Sequence, residues 1–298
     1  MNTKIAIINP YFGKWPYWID LYMQSCMYNS SIDFWFFTDC ETPSIAIGSE
    51  NLHFVQLSFG DYCKMASDKL GVEFYPEKPY KICDLRPFFG IVHEDILTNY
   101  DFWGFGDVDL VWGDLRSFCT DEILEKKDVF SSFACKIAGP FSLFRNTEYM
   151  RNQCFKIKDW KKKLTENQHW ALDEIDFSVV LYGKILRLFW KIHRKVFMKL
   201  PFGDDWKMNT TFMNIMNVFF CPRKLYFVEQ YATPWPEYIR HNKVNFKYEG
   251  GKTYNLLTGK EVMYLHFFSL KKVWKACDYV PKDGFNEVLF SASGILFK

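Results

Sequence analysis

No apolar run in this chain is long enough to cross a bilayer. The longest stretch without Asp, Glu, Lys or Arg runs from Met208 to Pro222 and is broken by Asn209, Thr210, Thr211, Asn214 and Asn217, too short and too polar for a transmembrane helix. No signal peptide is expected either. Met1 to Lys4 leads straight into a strand-like run, with no long apolar core and no small-residue cleavage site. The charge excess is small: 37 Lys and Arg against 35 Asp and Glu, a net +2. That argues against nucleic acid as a partner, since nucleic-acid binding needs a strongly basic face. No CxxC pair occurs. The 9 cysteines are odd in number and scattered, the pattern of buried core thiols in a reducing compartment rather than of a disulfide framework. A cytoplasmic location is the expectation. No internal repeat is apparent and no linker stands out, so the 298 residues are read as one domain with a helical insertion at about 150–205.

What the chain does have is aromatic mass and an α/β pattern. Phe, Tyr and Trp make up 20% of residues and apolar residues 49%, enough for a sizeable core. Lys4 to Ile8 reads as a buried first strand stopped by Asn9-Pro10 and Gly13. Trp18, Ile19, Tyr22, Met23 and Cys26 recur at three- and four-residue spacing, one apolar face of a helix. Ile32 to Phe37 and Leu52 to Leu57 read as two further strands. Asp84 has the placement of a helix N-cap, with Pro87 in the first turn. Tyr100 to Gly106 reads as a strand that delivers Asp107-Val108-Asp109 at its end. The β-α-β order indicates an α/β sheet whose strand ends present loops to a ligand.

Asp107 and Asp109 are the sharpest local feature. In extended chain, residues i and i+2 point to one face, and two carboxylates there repel each other unless a cation or a proton lies between them. Near the C-terminus, His266 follows a strand-like run and precedes Lys271 and Lys272. An imidazole joined to two carboxylates makes a mixed N,O donor set, which favours Mn²⁺ over Mg²⁺ or Ca²⁺. Asp173-Glu174 is a candidate general base or, equally, an acidic helix start. Residues 184–199 carry six basic and no acidic residues among Leu186, Leu188, Phe189, Trp190, Ile192, Val196 and Phe197. They are either a solvated basic face or a surface for an anionic membrane.

Four segments together resemble GT-A-fold, nucleotide-sugar-dependent glycosyltransferases of the bacterial polysaccharide type. They are Ile5 to Gly13, Lys81-x-x-Asp84-x-Arg86-Pro87, Asp107-x-Asp109, and His266-Phe267 followed by Lys272-x-Trp274, with Ser269 where that family has glycine. The resemblance implies a mixed α/β sheet flanked by helices, with a nucleotide-sugar-binding half over 1–130 and an acceptor half over 131–298. It implies Mn²⁺ or Mg²⁺ on Asp107, Asp109 and His266, with Asp107 also near the ribose, and the diphosphate on Lys272. Tyr11, Phe12 and Asp39 would lie against the base. Lys81, Asp84 and Arg86 would lie toward the donor sugar or a phosphate, and Asp173 or Glu174 would deprotonate the acceptor. A hexose would pass from a nucleotide-sugar, taken as UDP-linked because such donors are common among these enzymes, to a glycan or lipid-linked glycan. Gly139 to Asn146 would line the acceptor side. Two rival readings stand beside this one. Asp107-Val-Asp109-Leu-Val111 formally fits an aspartate-nucleophile phosphatase, with Gly203-Asp204-Asp205 as a distal metal pair. A non-catalytic carbohydrate-binding protein would need no acidic pair at all.

Overall fold

A computed structural model describes residues 3–133, 136–183, 188, 225–227, 244–267, 270–271, 274 and 287–298. The chain opens β1 (Ile5–Tyr11), α1 (Ile19–Met27), β2 (Ile32–Thr38), β3 (Leu52–Gln56), the β-α-β order with a further strand that the apolar spacing predicts. α2 (Phe59–Leu70) follows, a helix absent from the sequence expectations although Tyr62, Cys63, Ala66 and Leu70 recur at helical spacing on its buried face. Its ends are well marked: the Ser58 hydroxyl accepts from the Asp61 amide, and Gly71 closes the helix at φ 61.

Pro79–Phe88 is a 3₁₀ helix rather than the start of an α-helix capped at Asp84. Pro87 lies inside it, and Asp84 is fully buried in its middle. Two short helices continue from it, α3 (Phe89–Val92) and α4 (Glu94–Leu97), before β4 (Phe102–Gly106). Then come β5 (Leu110–Trp112), α5 (Asp121–Lys126), β6 (Val129–Ser131), β7 (Phe141–Arg145), α6 (Glu148–Arg151) and α7 (Trp160–Thr165). A π-helical turn spans Asp173–Phe177. Within the insertion expected at 150–205, helical turns alternate with the non-helical stretch 166–172, and 184–205 apart from residue 188 lies outside the described residues. The strands that remain are β8 (Leu225–Phe227), β9 (Asn245–Glu249), β10 (Lys252–Asn255), β11 (Lys260–Val262), β12 (Tyr264–His266), β13 (Glu287–Ser291) and β14 (Ile295–Phe297).

The main sheet has the order β3-β2-β1-β4-β7-β6-β8. β3, β2, β1 and β4 are parallel, and β7 joins β4 antiparallel. This mixed sheet flanked by helices is the α/β architecture anticipated from the sequence. Alternation along β1 divides the core in two. Ile5 and Ile7 pack with α1 on one face, while Ala6 and Ile8 pack with α2 and residues 82–97 on the other. Two smaller antiparallel sheets complete the described fold, β11-β10-β9-β13-β14 and the pair β12-β5. Among the described residues, no helix is long and apolar enough to cross a membrane.

β4 is unusually tight against its neighbours. A Cβ on Gly104 would strike the Ser142 carbonyl of β7, and one on Gly106 would come 2.6 Å from the Trp112 ring. The two glycines let β7 and Trp112 close over the strand that delivers the acidic pair.

Candidate functional site

Asp107-Val108-Asp109 forms the bend between β4 and β5, so the pair sits on a turn and not on extended chain. The bend is pinned on three sides. The Asp107 amide donates to the Pro140 carbonyl at 3.1 Å, and the Phe267 amide donates to the Asp109 carbonyl at 3.2 Å. Trp18 Nε1 donates to the Val108 carbonyl at 2.8 Å.

β5 then pairs antiparallel with β12, setting His266 opposite Leu110 and Tyr264 opposite Trp112. Tyr264 is fixed further by its hydroxyl, which donates to Ser132 Oγ at 2.8 Å. That register carries His266 to the acidic bend. Its Nε2 lies 3.3 Å from Asp109 Oδ1 and 3.7 Å from Asp107 Oδ2. One ligand atom from each of the three residues lies within 4.8 Å of the others.

These spacings suit a divalent ion. Ligands at about 2.1–2.2 Å from one cation stand roughly 3 Å apart when they occupy adjacent positions around it. The donors are also of the right kind, two hard carboxylate oxygens and an imidazole nitrogen.

Two cationic side chains flank the pair. Lys271 Nζ donates to Asp109 Oδ2 at 2.8 Å. Burial alone would raise the Asp109 carboxyl, but the His266 and Lys271 contacts outweigh it and hold the group well below the usual carboxylate range. Arg86 forms an ion pair through Nη2 with Asp107 Oδ1. Its Nη1 donates to Asp173 Oδ2 and to the Gly139 carbonyl, both at 3.1 Å. The guanidinium lies 5.1 Å from the centre of the Phe105 ring.

Of the sequence-predicted residues, the structure thus brings together Asp107, Asp109, His266, Arg86 and Asp173. Glu174 adjoins them: its Oε1 accepts from the Gly139 amide at 3.2 Å, and its Oε2 is paired with Lys136. Asp173 is fully buried, which raises its carboxyl above the ordinary range, with Arg86 pulling the other way.

Tyr11 stacks on Trp15 with ring centres 4.8 Å apart, and its hydroxyl donates to the Lys14 carbonyl at 2.9 Å. Asp39 Oδ1 accepts from the Gly13 amide at 2.7 Å, tying the loop after β1 to the end of β2. Phe12 instead turns into the core against Phe59 and Tyr62.

Lys81 and Asp84 also differ from expectation. Both are enclosed, with side-chain exposures of 2% and 0%, and their polar atoms face each other and the 163–172 segment. Lys81 Nζ donates to Asp84 Oδ2 at 2.8 Å, to the Lys163 carbonyl at 2.7 Å, and to the Gln168 carbonyl. An ammonium has three N–H donors, so these three acceptors saturate it. The Trp170 and Leu172 amides donate to Asp84 at 2.9 and 3.0 Å. The physical reason that neither reaches a sugar or phosphate is that each already holds protein partners inside the fold. They fix the segment that leads into Asp173 and Glu174.

Sequence reasoning passed over Lys271 in favour of Lys272, and it missed Lys136. Position next to His266 was a signal common to both lysines at 271 and 272, and spacing alone could not separate them. Lys272, Ser269, Gly203-Asp204-Asp205 and the basic stretch 184–199, apart from the exposed Leu188, lie outside the described residues. The six described cysteines are free thiols, five of them buried.

No curated protein matches the chain. Among solved structures it is similar to galactosyltransferase LgtC in complex with donor and acceptor sugar analogs, at 12% identity, over 57% of this chain and 71% of that one, with a TM-score of 0.36. It is similar to glycosyltransferase GlyE of Streptococcus pneumoniae TIGR4, at 12% identity, over 79% of this chain and 57% of that one, with a TM-score of 0.34. It is also similar to the PaToxG glycosyltransferase, at 13% identity, over 68% of this chain and 76% of that one, with a TM-score of 0.36. Likeness at these scores carries no functional conclusion. A family model, described as a family of unknown function (DUF6625), matches residues 7–288, and the chain belongs to that family.

Proposed function

We propose that the protein is a metal-dependent glycosyltransferase that moves a hexose from a nucleotide-sugar, taken as UDP-linked, to a glycan or lipid-linked glycan acceptor. The observation that carries this reading is the convergence of Asp107, Asp109 and His266, from two hydrogen-bonded strands, on a point fit for a divalent cation. A divalent ion bound there, Mn²⁺ or Mg²⁺, supplies positive charge that stabilises a departing nucleoside diphosphate.

The remaining roles belong to the chain's own residues. Asp109 and His266 hold the ion, and Asp107 completes its donor set or reaches the ribose. Arg86 orients Asp107, because its guanidinium is itself held by Asp173 and the Gly139 carbonyl. The stacked Tyr11–Trp15 pair offers a flat surface to the base. Asp39 supports that surface by fixing Gly13. Lys272 neutralises the diphosphate. Glu174 is the better placed of the two carboxylates to accept the acceptor's proton. Its side chain is 29% exposed, whereas Asp173 is enclosed and bound to Arg86. Of the segment Gly139 to Asn146 expected on the acceptor side, Gly139 stands beside both carboxylates, whereas β7 runs buried along β4 away from the acidic bend, with Arg145 opposite Phe102.

The reading is tested by thermal unfolding and by turnover. Mn²⁺ with UDP is expected to raise the melting temperature of the wild type and to leave Asp109→Asn unmoved. A metal-dependent hydrolysis screen over UDP- and GDP-sugars is expected to show activity that Asp109→Asn loses with its fold intact. No shift and no turnover with any nucleotide would remove the reading. Phosphatase activity lost in Asp107→Asn would replace it.

A further inference from the structure

We infer that Lys271 is a resident counter-cation of the acidic pair, one that leaves Asp109 when a divalent ion arrives and is taken up by the diphosphate, so that ion and nucleotide bind as a linked set. The inference rests on the metal-dependent reading above and concerns how that site is regulated.

The two cations beside the acidic pair are held very differently. Arg86 is 12% exposed and is bound to Asp107, Asp173 and the Gly139 carbonyl. It is built into the fold. Lys271 is 40% exposed and places its ammonium on Asp109 Oδ2. Its backbone is fixed, because the Lys271 amide donates to the Phe267 carbonyl at 3.0 Å. Only the four-carbon side chain needs to turn for the ammonium to leave, and a lysine stem is flexible.

The two oxygens of Asp109 divide the contacts. Oδ1 faces His266 and Oδ2 faces Lys271. A divalent ion seated between Oδ1 and the imidazole therefore meets an ammonium across one carboxylate, and like charges at that range repel. Without nucleotide, displacing the ammonium into water gives up its bond to Asp109. With a diphosphate present, the ammonium has a new anionic partner at the same place, and the cost of admitting the ion falls. Linkage then requires the converse, that the ion tightens the nucleotide by the same factor.

The experiment is a titration of Mn²⁺, read by calorimetry or by the paramagnetic signal of the free ion, into wild type, Lys271→Met and Lys271→Arg, each with and without UDP. Methionine keeps the length of the stem and removes the charge, and the exposed position tolerates it. Without UDP, Lys271→Met is expected to bind Mn²⁺ about tenfold tighter than wild type, and Lys271→Arg about as weakly as wild type. UDP is expected to tighten Mn²⁺ about tenfold or more in wild type and by much less in Lys271→Met. Equal or weaker Mn²⁺ binding by Lys271→Met without UDP, with UDP tightening both proteins alike, overturns the inference and leaves the metal site standing. Absence of Mn²⁺ binding in every form, with or without UDP, overturns the metal reading itself and the inference with it.

Discussion

Arg86 and Asp107 form an ion pair across the mouth of the main sheet, joining the 3₁₀ helix over Pro79–Phe88 to the bend after β4. The same guanidinium holds Asp173, so one cation faces two carboxylates that are distant in sequence.

Removing that cation leaves the enclosed Asp173 without a counter-charge and takes one of its partners from the partly exposed Asp107. Arg86→Met is therefore expected to destabilise the fold by about 3–5 kcal/mol, measured by chemical denaturation. Arg86→Lys is expected to recover only part of the loss, because a point charge cannot serve three acceptors held in a fork. A loss below about 1 kcal/mol in Arg86→Met, within the range of an exposed pair, would count against this role.

The Asp84 carboxylate gives a pH-dependent prediction. Burial alone would raise its pKa, but His169, Lys81 and the Trp170 and Leu172 amides pull it down to about 2. The unfolded chain titrates near 3.9. With the folded value the lower of the two, the stabilisation is fully present above about pH 4 and disappears as pH falls toward 2. It amounts to about 2.6 kcal/mol. Asp84→Asn is expected to flatten that acid limb. It is also expected to cost about 3–5 kcal/mol at pH 7, because it strands the enclosed Lys81 ammonium. An unchanged acid limb in the variant would contradict the assignment.

His93 acts in a different window. It is buried, with its Nε2 3.0 Å from the Tyr62 hydroxyl. Burial, with a smaller contribution from Lys69, lowers its pKa to about 3. An unfolded histidine titrates near 6.5, so the neutral ring is fully compatible with folding above that pH. Stability is expected to fall by about 1.4 kcal/mol for each pH unit from 6.5 down toward 3. His93→Gln, although less stable at pH 7, is expected to lose that slope. Unfolding midpoints followed from pH 7 to 5 separate the two cases, and equal slopes would rule out His93 as the source.

Ala171 carries a left-handed backbone, φ 50, between two residues whose amides both bind Asp84. The clamp holds a conformation that costs an L-residue about 1–2 kcal/mol. Ala171→Gly is expected to stabilise the protein by up to about 1 kcal/mol, the relief being offset in part by the greater freedom of glycine in the unfolded chain. A destabilised variant in denaturant titration would show that the turn is relaxed.

Glu174→Gln is expected to lower turnover by about 10²-fold or more while leaving UDP and Mn²⁺ affinity within about twofold of wild type. Asp173→Asn is expected instead to lower stability, since it weakens the hold on Arg86. If Glu174→Gln keeps full turnover, the proton goes elsewhere.

The first half of the fold was legible because period carries it. Ile5 to Ile8 and Ile32 to Phe37 are strand-like runs, and the face of Trp18, Ile19, Tyr22, Met23 and Cys26 recurs at helical spacing. α2 carries the same kind of signal, an apolar face of Tyr62, Cys63, Ala66 and Leu70 bounded by the Ser58 cap and Gly71, and it was passed over. The acidic pair and His266 were legible as residue types. Their meeting depends on the β5–β12 register, which no local pattern states. Burial was the hardest property to read. Lys81 and Asp84 look like surface groups in a sequence, and only the fold shows that backbone carbonyls and amides of 163–172 surround them. Lys271 and Lys272 are neighbours of one type, and spacing alone does not state that Lys271 reaches Asp109.

The pairing of β5 with β12 also bears on how the protein matures. Asp107 and Asp109 leave a ribosome long before His266, with more than half of the chain synthesised in between. A nascent or truncated chain that ends before β12 would have the acidic bend but not the imidazole, and so could not close a three-donor cation site. If the cation site serves the proposed transfer, competence would then wait for β12 to be made and paired with β5.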